Sequence, residues 1–309
     1  MDQVAQLTIR DLPDVVFPTV RIFVSVLEGI REAITSTKRR TFKYGETDRH
    51  QMDVYYPHLN GSQTNKFPVL FFVYGGGFAS GSRNLPSPID LAYANLATYF
   101  TKKGFITVIP DYRLLPDVVF PDPAQDVLDA ILFTAKRLQV VHYDGVEGDL
   151  DNIFLMGHSA GAVNVATVLL HPDMSPAISK VNVRGAVLIS GPYDNDPKEA
   201  PTASPDVVDK FFGGLEAMKK NCPMGLLKAY PGEQLGKLPR FLLIEAENDP
   251  DAFKVVGESF RQTLEELTQQ KVTKIIGDRH NHISLTLALE TGEGEEWAQE
   301  ATDWMKAVV

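Results

Sequence analysis

From about residue 67 onward the chain alternates continuous apolar runs with segments of helical periodicity. Residues 67–73 (FPVLFFV) are apolar throughout, as in a strand covered on both faces. The runs 105–109 (FITVI), 153–156 (IFLM), 186–189 (AVLI) and 241–244 (FLLI) read the same way. Residues 274–276 read as one more, shorter strand. Between these runs, Val127, Leu128, Ile131, Leu132, Ala135 and Leu138 form one apolar stripe along a helix over 122–139. The stretch 160–170 (AGAVNVATVLL) is apolar almost all round and reads as a buried helix. Phe253, Val256, Phe260, Leu264 and Leu267 share a face over 253–268. Trp297, Ala301, Trp304 and Met305 share another over 295–307. Strands alternating with helices predict an α/β fold: a mostly parallel central sheet, right-handed crossovers and helices on both faces.

Two regions break the alternation. Residues 1–40 read as a helical cap segment outside the sheet, ahead of a catalytic domain over 41–309. Residues 195–238 are rich in Pro, Gly and Lys, with only short apolar clusters such as Phe211-Phe212 and Leu226-Leu227. They read as a cap or lid insertion, because long insertions of this kind are more often functional than structural. The stretch 42–56 alternates partly and predicts a leading antiparallel strand or a hairpin.

Composition narrows the function classes. With 44% hydrophobic and 23% charged residues over 309 positions, the chain is an ordinary globular one, large enough for a core without disulfide or metal staples. The formal net charge of -10 repels phosphate backbones and anionic lipid, so no nucleic-acid partner is expected. No run approaches the ~18 apolar residues of a membrane span. The first residues lack a basic segment followed by an apolar run, and the single Cys222 has no internal partner. A cytoplasmic location is therefore expected. Asn60-Gly61-Ser62 matches a glycosylation acceptor, a triplet common by chance. The terminal Trp297/Trp304 helix, or an exposed edge strand, offers a surface for a homodimer, although the tryptophans read more simply as core.

Gly157-His158-Ser159-Ala160-Gly161 is the most informative pentapeptide. It follows the strand 153–156 and opens the helix 160–170, the strand–turn–helix context in which G-x-S-x-G presents a serine hydroxyl. Serine needs a base, and the base an orienting acid. Only His171, His280 and His282 follow Ser159, and His171 lies at the far end of the helix that carries the serine. His282 is favoured, because it opens what reads as a helix at Ile283-Ser284-Leu285; His280 is the alternative. A metal site on His280, His282 and Asp278 lacks further ligands and is disfavoured. The acid belongs on the loop after strand 241–244. Asp249 is favoured because Pro250 promotes a turn there, with Glu247 and Asp251 as solvated alternatives. Gly75-Gly76-Gly77 lets backbone N–H groups approach a substrate oxygen, and the Ala160 amide supplies another donor. The same glycines fail the dinucleotide fingerprint, since the sixth position is Ser80, and no P-loop lysine follows. No cofactor or metal is expected.

Four motifs in order resemble the hormone-sensitive-lipase-like branch of the α/β-hydrolase superfamily: YGGGFASGS (74–82), DYRLLPDVVFPDPAQD (111–126), GHSAG (157–161) and the pair NDP (248–250) with HNHIS (280–284). The chain also resembles kynurenine-formamidase-like hydrolases. The resemblance spans about 42–307. It implies an α/β-hydrolase fold with a small helical cap, Ser159 as nucleophile, Asp249 as acid and His282 as base. It places oxyanion donors at the amides of Gly76, Gly77 and Ala160. It implies that Asp111, Tyr112 and Arg113 support the glycine loop. The family usually carries histidine where this chain has Tyr74. A tyrosine there braces the loop, reshapes the pocket or points at substrate. Tyr74, Phe78 and His158 are thus candidate substrate contacts, and His158 also reads as packing beneath the loop.

The expected activity is a carboxylesterase-like serine hydrolase acting on small-molecule esters. An amidase, a lactonase, or a biosynthetic acyl-transfer or cyclisation enzyme would use the same residues. A non-catalytic small-molecule receptor is disfavoured by the intact Ser, Asp and His.

Overall fold

The computed structural model describes residues 1–59, 66–195 and 202–309. The apolar runs pair into one eight-stranded sheet: β1 (Lys38–Lys43), β2 (Gln51–Tyr56), β3 (Lys66–Val73), β4 (Ile106–Pro110), β5 (Glu147–His158), β6 (Val183–Ile189), β7 (Arg240–Asn248) and β8 (Thr273–Asn281). Their order across the sheet is β1-β2-β4-β3-β5-β6-β7-β8. β1–β2 and β2–β4 are antiparallel, and every other pair is parallel. Val69 to Val73 of β3 have no exposed surface, as the continuous apolar run requires of a central strand. Helices Ala94–Lys102, Asp122–Ala135, Ala160–Leu170 and Asp251–Thr268 lie in the connections between strands, and Glu296–Ala307 follows the last strand; together they cover the sheet. This is the α/β-hydrolase arrangement, and it brings the carboxyl ends of the parallel strands to one edge.

The expected strands are all present, with two extensions that hydrophobic pattern does not reveal. β5 starts at Glu147 rather than Ile153. Its polar half pairs Glu147 with Lys66 and Asp149 with Pro68, and the register then shifts after Pro68. Proline in a strand is tolerated at such an irregularity because the ladder there does not need its N–H. β8 runs on from Ile276 to Asn281, since an edge strand tolerates the polar residues Asp278 and Arg279. The stretch 42–56 is a hairpin in which Lys43 pairs with Gln51.

The first residues form helices Asp2–Ala5, Leu12–Gly29 and Arg31–Thr35, and Lys38 already belongs to β1, so the sheet begins before the expected division at 40/41. Between β6 and β7 lie the π-helical turn Val207–Phe211, helices Leu215–Asn221 and Pro223–Ala229, and the 3-10 turn Gly232–Lys237. Residues 196–201 of the expected insertion and the triplet Asn60-Gly61-Ser62 fall outside the described residues. Trp297 is 1% exposed and belongs to the core, and the partly buried Trp304 packs against that core beside Gly185. Among the described residues no helix is long and apolar enough to cross a membrane.

Candidate active site

Ser159 leaves β5 with φ 54° and ψ -123° and caps the helix Ala160–Leu170. A non-glycine residue held there stores about 1–3 kcal/mol, which persists only where the surroundings over-determine it. The flanking glycines are the reason the turn closes. A Cβ on Gly161 would lie 2.0 Å from the Val73 carbonyl oxygen, and one on Gly157 would lie 2.4 Å from the Gly161 carbonyl oxygen. The helix start is thereby pressed against the end of β3. The Ser159 N–H donates to the Ile189 carbonyl at 2.8 Å, which fixes the turn to β6. The first N–H groups of a helix have no partner within it, so the Ala160 amide is oriented beside the hydroxyl.

His282 and Asp249 meet at the far side of the same edge. His282 Nδ1 donates to Asp249 Oδ1 at 2.7 Å, and both side chains are buried. The second carboxylate oxygen accepts from the Ser190 hydroxyl and, at 2.8 Å, from the Ala246 N–H. Burial opposes charge on Asp249. The hydrogen bond to the His282 ring, the charge that ring can carry and the two further donors outweigh it, and the carboxyl is held below its ordinary value. The other ring nitrogen of His282, Nε2, is buried and makes no hydrogen bond. It is the one basic atom of the group left to take a proton. In unliganded enzymes the bond from nucleophile to base is often loose and tightens when substrate engages.

The alternatives considered from sequence are occupied elsewhere. His280 uses Nδ1 with the Ser284 hydroxyl at 2.9 Å and Nε2 with the Gly294 carbonyl at 2.7 Å. Asp251 pairs with Arg10 at 3.1 Å. Glu247 accepts the Arg279 N–H at 2.6 Å.

The glycine loop passes directly beside Ser159, since a Cβ on Gly75 would lie 2.9 Å from Ser159 Cβ. Gly76 (φ 129°) and Gly77 (φ 59°) then turn the chain through conformations open to glycine. The Gly76 carbonyl accepts from the N–H groups of Ala79 and Ser80 at 3.2 and 3.0 Å, closing that turn.

Tyr74 is not a substrate contact. It has no exposed surface, and its ring is stacked between Tyr112 at 4.8 Å and Tyr93 at 5.5 Å. Its hydroxyl donates to Asp111 at 2.7 Å and accepts from Arg49 at 2.8 Å. The Tyr112 hydroxyl donates back to the Tyr74 carbonyl at 2.8 Å, and Asp111 also pairs with Arg83. Arg113 forms a bidentate pair with Asp126. Tyrosine thus braces the loop from below through a charged network, because the last residue of a β-strand run turned toward the core cannot also face the cleft.

His158 likewise turns inward. Its Nε2–H donates to the His282 carbonyl at 2.9 Å, and its ring lies 4.8 Å from the His282 ring. Burial, reinforced by the neighbouring His282, pushes it down to about 3, so it is a neutral prop for the His282 backbone. Phe78 does face the nucleophile's helix: it packs with Ala160, Val163, Phe211 and Phe212.

Sequence reasoning missed Ser190 and the contact between Asn281 and Thr19. Ser190 directly follows β6 at the edge where Ser159, Asp249 and His282 lie, and a polar residue directly after the run 186–189 was the available signal. Asn281 Nδ2 donates to the Thr19 hydroxyl at 2.9 Å, and no local pattern announces a bond between residues so far apart.

Comparison with known proteins fits this geometry. The BD-FAE family profile matches residues 52–205. A probable isoprenylcysteine alpha-carbonyl methylesterase of Oryza sativa subsp. japonica is 25% identical over 80% of this chain and 57% of its own length. A kynurenine formamidase of Salmo salar is 25% identical over 81% of this chain and 76% of its own. The chain spans only 5% of a non-reducing polyketide synthase of Aspergillus calidoustus, to which it is 31% identical over 43% of its residues, and so covers well under two thirds of several curated relatives. Among solved structures, esterase B of Lactobacillus Rhamnosis superposes with a TM-score of 0.67 over 95% of this chain and 94% of that one, at 19% identity. An esterase of the archaeon Pyrobaculum calidifontis gives 0.66 over 94% of each chain, at 20% identity. At these identities the likeness is one of fold.

Proposed function

We propose that this chain, which has the α/β-hydrolase fold, is a carboxylesterase-like serine hydrolase that cleaves small-molecule esters through an acyl-enzyme on Ser159. The supporting observation is the state of His282: Nδ1 is held by a buried carboxylate at 2.7 Å while Nε2 is left without a partner. In this reading Ser159 Oγ attacks the acyl carbon, and its proton passes to His282 Nε2. The carbonyl electrons move onto oxygen, which the amides of Gly76, Gly77 and Ala160 receive. Collapse of that intermediate breaks the bond to the alcohol, whose oxygen takes the proton back from His282. Water, deprotonated by the same nitrogen, then attacks the acyl-enzyme and releases the acid. Asp249 stabilises the imidazolium in both halves without itself taking a proton. Each amide lost from the oxyanion site would cost about 3–4 kcal/mol of barrier. A cytoplasmic location is part of the proposal and fits the unpaired, buried Cys222.

Ser159→Ala is expected to abolish hydrolysis of p-nitrophenyl acetate and butyrate, and a fluorophosphonate probe is expected to label the wild type at Ser159 alone. Retained turnover in the variant would remove Ser159 as nucleophile. A second reading, hydrolysis of an aryl formamide, draws on the kynurenine formamidase of Salmo salar as a relative over most of this chain. A formanilide assayed beside the esters distinguishes the two by which carries the larger kcat/KM.

A further inference from the structure

Three consecutive glycines give the loop over 74–82 a freedom that a fixed set of donors must lose. Within the loop, the Gly76 carbonyl accepts from the Ser80 hydroxyl at 2.9 Å as well as from the N–H groups of its turn. At Gly77 an added Cβ would meet nothing within 4 Å, so no packed face holds the tip there. The ends of the loop are close together. A Cβ on Gly81 (φ 110°) would lie 2.7 Å from the Tyr74 ring and 2.8 Å from the Gly75 carbonyl oxygen. The placement of the tip therefore depends on what fastens these ends to each other and to the sheet.

Arg49, in the turn between β1 and β2, fastens both. Its Nη2 donates to the Tyr74 hydroxyl at 2.8 Å and to the Gly81 carbonyl at 2.9 Å, and its Nε donates to the Tyr112 carbonyl at 2.7 Å. One rigid guanidinium thus holds the first residue of the loop, its returning end and the segment after β4. Asp111 Oδ1, 3.9 Å from Arg49 Nη2, accepts from the Tyr74 hydroxyl and, at 2.6 Å, from the Arg83 N–H. Arg83, directly after the loop, carries its own guanidinium to Asp53 at 3.2 Å and Gln51 at 3.0 Å, both on β2. The antiparallel hairpin, which adds nothing to the parallel part of the sheet, therefore reaches the glycine loop through side chains.

Resting on the hydrolase reading above, we propose that Arg49 is a positioning residue for the oxyanion donors: by joining both ends of the glycine loop to the segment after β4, it holds the Gly76 and Gly77 amides in place before substrate binds. Its Nε and Nη2 donate to protein acceptors, so its effect passes through the loop. Lysine cannot replace it, since an ammonium on a flexible stem lacks the fork that reaches a hydroxyl and two carbonyls together. Acylation and deacylation both pass through an oxyanion. Displaced donors therefore slow both steps while the ground-state complex is unchanged.

The test uses the full chain and p-nitrophenyl acetate. Arg49→Met keeps much of the stem and removes the fork. Its kcat is expected to fall about 30- to 100-fold, with KM within about twofold of wild type. Arg49→Lys is expected to lose about tenfold in kcat, because charge without the fork does not hold the loop. The midpoint of the acid limb of the kcat/KM–pH profile should match the wild type in both variants, since His282 keeps its bond to Asp249. A folded Arg49→Met protein with lowered melting temperature and wild-type kcat, a loss carried by KM, or a moved midpoint overturns the inference. If Arg49→Met fails to fold, Arg49→Lys decides by the same three readouts. Each of those outcomes leaves the hydrolase reading standing, whereas a wild type that turns over no ester and is not labelled at Ser159 defeats that reading and this inference with it.

Discussion

His158 occupies the variable position of the G-x-S-x-G turn, and its chemistry is set by what surrounds it. The ring is buried, its neighbour His282 adds repulsion to any second positive charge, and Asp249 attracts too weakly to compensate. The folded state therefore holds this histidine at about 3 against an unfolded value of 6.5. Between those values the unfolded chain binds the extra proton and the folded protein does not. The resulting stability is complete above 6.5 and is lost as pH falls toward 3. One proton of difference corresponds to about 1.4 kcal/mol per pH unit, so the wild type should lose about 2 kcal/mol between its unfolded value and about pH 5 from this residue. His158→Gln keeps an N–H for the His282 carbonyl but cannot titrate. Urea midpoints measured at about pH 7.5 and about pH 5 should differ less in this variant than in the wild type, by about that amount. Some acid sensitivity should survive, because burial lowers His280 in the same direction. Equal pH dependence in the two proteins would show that His158 is not held neutral by the fold.

At the scale of elements, the site depends on how closely one helix approaches one strand. Gly161 lets the helix Ala160–Leu170 rest on the last residues of β3, since an added Cβ would come within 2.0 Å of the Val73 carbonyl oxygen and 2.5 Å of that of Tyr74. Those are backbone atoms at the base of the glycine loop and cannot rotate aside. Gly161→Ala should therefore force Ser159 and the glycine loop apart. We expect a loss of more than ~3 kcal/mol, beyond the usual overpacking range, and a kcat/KM reduced by at least about 100-fold in the fraction that folds. Gly236→Ala, where an added Cβ meets nothing within 4 Å, is the control and should leave melting temperature and kcat/KM near wild type. The same contrast explains what could be read in advance. The runs at Val69–Val73 and Ile153–Met156 were legible because both faces are covered and every position must be apolar. The start of β5 and the end of β8 were not, because Asp149 pairs through its backbone and Asp278 lies in the irregular stretch between the paired Gly277 and Asn281, so neither side chain reveals a strand. Ser159 was legible because its strained turn admits only small neighbours. The direction of Tyr74 was not, since a tyrosine after a buried run can satisfy its hydroxyl in the cleft or beneath it. Only Asp111 and Arg49, distant in sequence, decide for the second.

Across the whole molecule, the proposed base, His282, is held by residues far apart in sequence. Asn281 directly precedes His282, and its Oδ1 accepts the N–H groups of Ile283 and Ser284 at 3.1 and 3.0 Å, setting the turn that aims the imidazole. Its Nδ2 donates to Thr19 of helix Leu12–Gly29, whose hydroxyl in turn donates to the Val15 carbonyl at 2.7 Å. Phe23, Leu27 and Ile34 of the same N-terminal region pack with Leu287 and Ala288, just beyond the base. The helices of the N-terminal region thus contact the segment that carries His282, although they add no strand to its sheet. Thr19→Val preserves shape but leaves the Asn281 amide buried without an acceptor, which should cost about 1–3 kcal/mol. A global loss of that size alone would leave kcat of the folded protein untouched. Loss of the turn's anchor should instead lower kcat about three- to tenfold with KM nearly constant, because the proton acceptor shifts while the binding surfaces stay in place. Phe17→Ser on the exposed side of the same helix, where Phe17 is 76% exposed, should alter neither by a measurable amount. A Thr19→Val protein with lowered melting temperature and wild-type kcat would mean that the N-terminal helix stabilises the fold without positioning His282.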